Sequence, residues 1–349
     1  MSTKKIKVFH GLVNYGTQAG LLSKALRENH NISALSVSYP DTYKRQIDIQ
    51  LKSGGNTIEK VFKHTWNRIF LISCFFKYNT FHFYFGKSLL NNQRDLPFYK
   101  FFNKKVVMHY LGNDVELYRW SIDNYEISNM RNMMTPEKGK QHDSKVLKRM
   151  RSESKYIDHK IVCAPQYSPF VQDSEIIPLA VDLSNFSYTK PIEFIDELNI
   201  LHAPTSRKKK GTEFLVQAVS KLKEEGYKIN LDICENITHD ELRERYKKCH
   251  VSVVALMGGW YGTAGVEAMA IGRPIITFIR PSLFNYIDIK EEELPIISAN
   301  KDDIYEVLKD VVDKKYDLNK LSLDSHKFVN EFHNPKIISK RLIEIYRNI

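Results

Sequence analysis

The chain has 349 residues, 42% of them hydrophobic and 27% charged, with a net charge of +11. That is too long for one ordinary core, so two domains of roughly 100 to 200 residues are expected. The longest uncharged apolar stretch, IFLISCFF at 69–76, falls far short of the ~20 residues of a membrane span, and the start MSTKKIKVFHG lacks the layout of a signal peptide.

From the N-terminus, KIKVFHGLV, NISALSVSY, TFHFYFG, KKVVMHYLG and HKIVCAP read as buried strands. Between the first two lies GTQAGLLSKALREN, with Leu21, Leu22, Ala25 and Leu26 at helical spacing. Strands separated by helices of this length imply right-handed crossovers and a parallel sheet. The pattern weakens over 181–199 and then resumes. NILHAP, KINLDICEN, HVSVVALM and PIITFI are strands, GTEFLVQAVSKLKEEG and THDELRERYKKC are helices, and Thr238 and Glu241 have capping-box spacing. The expected architecture is α/β: two Rossmann-like, doubly wound parallel-sheet domains, 1–190 and 191–325. A final helical segment, about 326–349, crosses back to the first.

Charge follows this division. Residues 1–190 hold 28 Lys and Arg against 16 Asp and Glu, whereas the remainder holds 24 against 25. Within the basic half, residues 42–110 carry 12 basic and 3 acidic side chains interleaved with aromatics, a pattern suited to an anionic partner or to an ordinary solvated face. In TIEKVFKHTWNRIFLISCFF, 57–76, Phe62, Trp66, Ile69 and Phe70 suit a bilayer surface and Lys60, Lys63 and Arg68 suit anionic headgroups. The same segment also reads as a core helix. No helix-turn-helix or RNA-binding signature accompanies the charge, which places nucleic acid last among partners. Cys74, Cys163, Cys234 and Cys249 are scattered without CxxC spacing, so neither a zinc site nor a disulfide framework is expected, and a reducing cytoplasm fits.

GGWYGTAGVEAMAIGRP, 258–274, lies where open α/β sheets bind ligands, at the carboxyl end of a strand. A helix starting near Gly265 would aim the amides of Ala264, Gly265, Val266 and Glu267 at a phosphate, and the Glu267 carboxylate, on its first turn, would reach ribose hydroxyls. The alternative is a tight glycine turn with Glu267 serving the helix N-terminus. HAPTSRKKKGTEFL, 202–215, brings Arg207, Lys208, Lys209 and Lys210 to a second strand-to-helix turn on the same edge. Together the two turns offer amides and cations to one diphosphate.

Here the sequence resembles the retaining GT-B glycosyltransferases of family 4, over nearly the whole chain and most strongly from about 199 to 280. GVEAMAIGRP matches the second half of that family's motif, and the resemblance implies that Glu267 binds the nucleotide ribose. The motif's first Glu falls at Gly259 and is absent. KKKGTEF implies Lys210 as the diphosphate lysine, with Arg207 standing in for a missing arginine. ENITHDEL implies base contacts around Ile237, and Gly262, Thr263, Ala264, Gly265 and Val266 complete the donor loop. HGLVNYGTQAG resembles the glycine loop facing the diphosphate, with Gly16 the match. MHYLGNDVE resembles the acceptor-side segment, implying Asp114 and, displaced by two residues, His109.

The implied activity is transfer of a sugar from a nucleotide diphosphate sugar, UDP-linked in most of the family, to a saccharide or lipid-linked acceptor with retention. It would use Lys210, Arg207 and His109, with no metal and no cofactor. It would serve cell-surface glycan synthesis, in the cytoplasm or peripherally at an anionic membrane. A subunit that keeps the fold without the reaction and acts with a partner enzyme is the alternative, and epimerisation of a nucleotide sugar would share the same contacts.

Overall fold

A computed structural model of the chain describes residues 5–41, 45–194 and 196–349. The chain divides into two compact units, one formed by Met1–Glu116, Asp143–Ala180 and Pro335–Ile349, the other by Leu117–His142 and Val181–Asn334. The break therefore falls at Ala180/Val181, and not near 190. Residues 117–142 join the second unit, and so does the helix Leu318–Phe332, leaving Pro335–Asn348 as the helix that returns to the first.

The first unit is built on seven strands, β1 (Lys7–Leu12), β2 (Ser33–Ser38), β3 (Ile49–Gln50), β4 (Thr80–Tyr84), β5 (Lys105–Tyr110), β6 (His159–Val162) and β7 (Ser174–Ile176). They lie in the order β3-β2-β1-β4-β5-β6-β7, and every ladder is parallel. β4 is buried at every residue, as a parallel strand covered on both faces must be. One face packs Phe9, Phe81, Phe83 and Met108 under Leu71 and Cys74 of helix α2 (Thr57–Lys77). The other packs Val8, Val107 and Ile161 under Leu22 and Leu26 of α1 (Gln18–His30) and under Ile338 and Leu342 of the terminal helix. Helix α2 starts at Asn56, whose side chain accepts the Glu59 amide at 2.9 Å. A short helix, α3 (Leu96–Phe101), precedes β5.

The second unit carries β8 (Leu198–His202), β9 (Ile229–Ile233), β10 (Val251–Gly259), β11 (Ile275–Ile279) and β12 (Ile296–Ser298), again all parallel, in the order β12-β11-β10-β8-β9. Leu215, Val219 and Leu222 of the helix Thr212–Glu224 cover one face with Leu308 and Val311. Val266, Met269, Phe328 and Val329 cover the other. Strand order reverses between β1 and β4 in the first unit and between β8 and β10 in the second. Loops leaving the carboxyl ends of strands at such a reversal splay apart and leave room for a ligand.

Candidate functional site

In the second unit, the turn after β8 and the loop after β10 flank the reversal point. The turn holds a short helix, Arg207–Lys210, and then Gly211. A Cβ on Gly211 would lie 3.1 Å from the Leu256 Cβ, so glycine lets the turn pack against the end of β10. His202, the last residue of β8 and fully buried, ties the pieces together. Its Nδ1 lies 2.7 Å from the Val253 carbonyl and its Nε2 lies 2.8 Å from the Thr212 hydroxyl. Because a carbonyl only accepts, Nδ1 carries the proton and Nε2 accepts from Thr212. Burial holds this ring neutral, with its pKa lowered to about 4.

Lys210 is partly buried, and burial, with Lys209 nearby, pushes its ammonium pKa down. Among the described residues its side chain has no hydrogen-bond or ion-pair partner. Arg207 is placed differently. Its guanidinium donates to Glu213 at 2.8 Å and to Glu235 at 3.2 Å, so two carboxylates already occupy the cation expected beside the diphosphate.

The helix after β10 spans Gly262–Ala270, one turn earlier than its glycines suggest. The orphan amides are therefore those of Gly262, Thr263 and Ala264, while Gly265 and Val266 enter the helical ladder. No side chain caps this end. Gly262 is exposed, with φ +59° and nothing within 4 Å of where a Cβ would stand. Glu267 falls on the second turn, not the first. Its partly buried carboxylate has no hydrogen-bond partner among the described residues, and burial raises its pKa to about 7 against the weaker opposing pull of Arg243. Tyr246 stands beside it and donates its hydroxyl to the Ala264 carbonyl at 3.3 Å. Ile237, after β9, is half-buried against the core. It is followed by the capping box, with the Glu241 amide on Thr238 Oγ1 at 3.2 Å and the Thr238 amide on Glu241 Oε2 at 2.8 Å.

Gly259 occupies the place of the absent first Glu. Its φ is +94°, and a Cβ there would lie 2.3 Å from an Arg280 guanidinium nitrogen. Arg280 is buried, donates to the Ile127 carbonyl at 2.6 Å and lies 3.5 Å above the Tyr125 ring. A cation thus stands where the family pattern has an anion.

In the first unit, Gly16 lies in the turn after β1, at the other reversal point, where Tyr15 stacks on Phe85 from the loop after β4 at 6.1 Å. Asp114 is buried and serves its own loop: Oδ1 accepts the Leu111 and Gly112 amides at 3.1 and 2.8 Å. Its Oδ2 is buried without a partner, and burial raises the carboxyl pKa to about 7. His109 is fully buried, in contact with His82 at 3.3 Å and packed on Tyr84, with its pKa lowered to about 3 by burial. Such a ring neither reaches solvent nor takes up a proton at neutral pH, and this environment supports packing in place of the expected catalytic, acceptor-side role. Among the described residues no group of three His, Cys, Asp or Glu side chains is placed to hold a metal ion. The four cysteines are free and buried, and among the described residues no helix is long and apolar enough to cross a membrane.

Two doubly wound parallel sheets of this kind define the GT-B fold class. No family model matches the sequence, and no curated protein matches it. Solved structures do. The chain is similar to sucrose-phosphate synthase from Thermosynechococcus elongatus, with a TM-score of 0.65, 16% identity and 99% of each chain covered. It is also similar to Anabaena HepE in complex with UDP and glucose, with a TM-score of 0.60, 11% identity, and 99% of this chain and 100% of that one covered. A third is Phytolacca americana UGT2 complexed with UDP-2fluoro-glucose and pterostilbene, at a TM-score of 0.52 and 7% identity over 99% and 100% of the two chains. At these identities the likeness establishes the fold. Sequence reasoning singled out neither His202 nor Arg280. The signal for the first was a histidine ending a buried strand just before a basic turn; for the second there was none.

Proposed function

We propose that the protein transfers a sugar from a nucleotide diphosphate sugar, UDP-linked, to a saccharide or lipid-linked acceptor, with retention of configuration, in the synthesis of a cell-surface glycan. The observation that carries this reading is the pairing, at the reversal point of the second sheet, of an uncapped helix N-terminus with the unpartnered Glu267 carboxylate. The amides of Gly262, Thr263 and Ala264 meet the diphosphate, and Glu267 accepts the ribose hydroxyls. When the diphosphate departs, negative charge grows on its oxygen, and fixed amides with Lys210 stabilise that charge without reorganising. Arg207 joins them only by releasing Glu213 or Glu235. The UDP-containing complexes of similar fold favour uridine, and the match of GVEAMAIGRP to family 4 favours retention.

Calorimetric titration with UDP and GDP, on the wild type and on Glu267→Ala, tests the reading. Saturable UDP binding weakened at least about tenfold in the variant is expected, the scale of one lost charge-assisted hydrogen bond. Absence of binding by the folded wild-type protein would overturn it. The non-catalytic alternative draws support from Arg280 over Gly259. It predicts UDP binding with neither transfer nor hydrolysis of any UDP-sugar by the isolated chain.

A further inference from the structure

Helix α2 is turned inside out. An amphipathic surface helix ordinarily buries its apolar stripe and shows water its polar one. Here only Asn67, Leu71 and Cys74 are buried. The opposite face presents Ile58, Phe62, Trp66, Ile69, Ile72 and Phe76 to solvent, with Phe62 74% and Trp66 60% exposed. These six fall within about 120° of one another at 100° per residue, a single stripe some 27 Å long at about 1.5 Å per residue. Asn67 fixes the rotation, since its Oδ1 accepts the Lys52 amide at 3.1 Å and its Nδ2 donates to the Lys52 carbonyl at 2.8 Å. The stripe continues onto Phe102, which meets Phe76 edge to face at 6.0 Å, and onto Phe101, 82% exposed at the end of α3. A contiguous apolar surface of this extent is uncommon on a soluble monomer and marks a contact face.

We propose that this face docks on an anionic lipid bilayer, the stripe entering the headgroup and acyl boundary. Charge selects the occupant. The helix carries Lys60, Lys63, Arg68 and Lys77 against the single acid Glu59, and Lys52 adds a cation 4.7 Å from the Trp66 ring. Arg68 and Lys77 lie nearest the two edges of the stripe, and cations so placed meet lipid phosphates favourably while the rings enter the boundary. A second copy seated on the same face would set two like-charged rims against each other. The proposal concerns the first unit alone and does not rest on the reading of the nucleotide site.

The test is co-sedimentation of the full chain with vesicles of phosphatidylcholine, alone or mixed with phosphatidylglycerol, and needs no nucleotide. Expected is binding to the anionic vesicles that falls at least about tenfold in Phe62→Ser/Trp66→Ser/Ile69→Ser and falls with added salt, by the area and charge removed. Arg68→Glu/Lys77→Glu should weaken it while leaving the stripe intact. All five side chains are exposed, and circular dichroism melts check that the variants stay folded. No vesicle binding, or binding unchanged in the triple variant, overturns the proposal. So does concentration-dependent dimerisation abolished by the triple variant in a protein that ignores vesicles.

Discussion

Burial pushes the Glu267 carboxyl pKa up to about 7 in the folded protein from its ordinary value of 4.5, so the native state holds this proton more tightly than the unfolded chain. Stability is therefore greatest below about 4.5 and declines as pH rises through about 7, where the carboxylate ionises without a partner. Glu267→Gln removes that penalty. Denaturant titration should show the variant more stable by about 1–3 kcal/mol near pH 8 and unchanged near pH 4. The same variant should bind UDP-glucose, whose diphosphate does not titrate in this range, more weakly. A variant that gained no stability near pH 8 would mean that Glu267 is already satisfied. Gly259 gives a second residue-scale prediction. With φ at +94° and Arg280 in the space of a Cβ, Gly259→Ala should cost about 1–3 kcal/mol, read from the same titrations. Local sequence revealed Gly259 as the missing acid but not what stands there, because Arg280 follows the next strand and reaches back through the fold.

At the level of elements, the long strands and helices were legible because their apolar periods are strong, whereas β3 and β7, two and three residues long, left no pattern to read. The helix at 262–270 was placed a turn late because two glycines among its first four residues read as loop. The resemblance implies His109, displaced by two residues, for the acceptor side, and only burial in the fold bears on whether it is reached. In β5 every residue from Val106 to Tyr110 is buried, so alternation there says which face a side chain is on but not whether it meets solvent. A buried side-chain bridge through His202 helps hold the turn after β8. Thr212→Val would leave the buried Nε2 of His202 without its donor. The expected loss is about 1–3 kcal/mol of stability, together with weaker nucleotide binding by calorimetry as the Arg207–Lys210 turn loosens. Unaltered UDP affinity in a destabilised Thr212→Val protein would separate that bridge from the nucleotide site.

Across the whole molecule, the first unit carries an acid sensitivity that the second shares in part through His202 and His250. His10, His82 and His109 lie on adjacent strands β1, β4 and β5, all fully buried, with His10 and His109 lowered to about 3 and His82 lowered well below its ordinary value, in each case mainly by burial. The unfolded chain takes up these protons below about 6.5 and the folded one does not, so stability present above that value is lost as pH falls toward about 3. Hydrogen exchange at descending pH should show β1, β4 and β5 losing protection before the strands of the second sheet. Simultaneous loss in both sheets would contradict this. His82 also bonds the Tyr346 hydroxyl at 2.6 Å, and Ile338, Leu342 and Ile343 complete the core beside α1. That closure imposes a timetable on synthesis. β1 is made before the rest of its sheet, yet that sheet cannot be sealed until residues 335–349 have left the exit tunnel. The second unit draws on nothing between Asn334 and Ile349, so the unit that holds β1 closes after the one that follows it in the chain. Until then, the face of the sheet that the terminal helix covers stays open on the nascent chain, where a chaperone would find it.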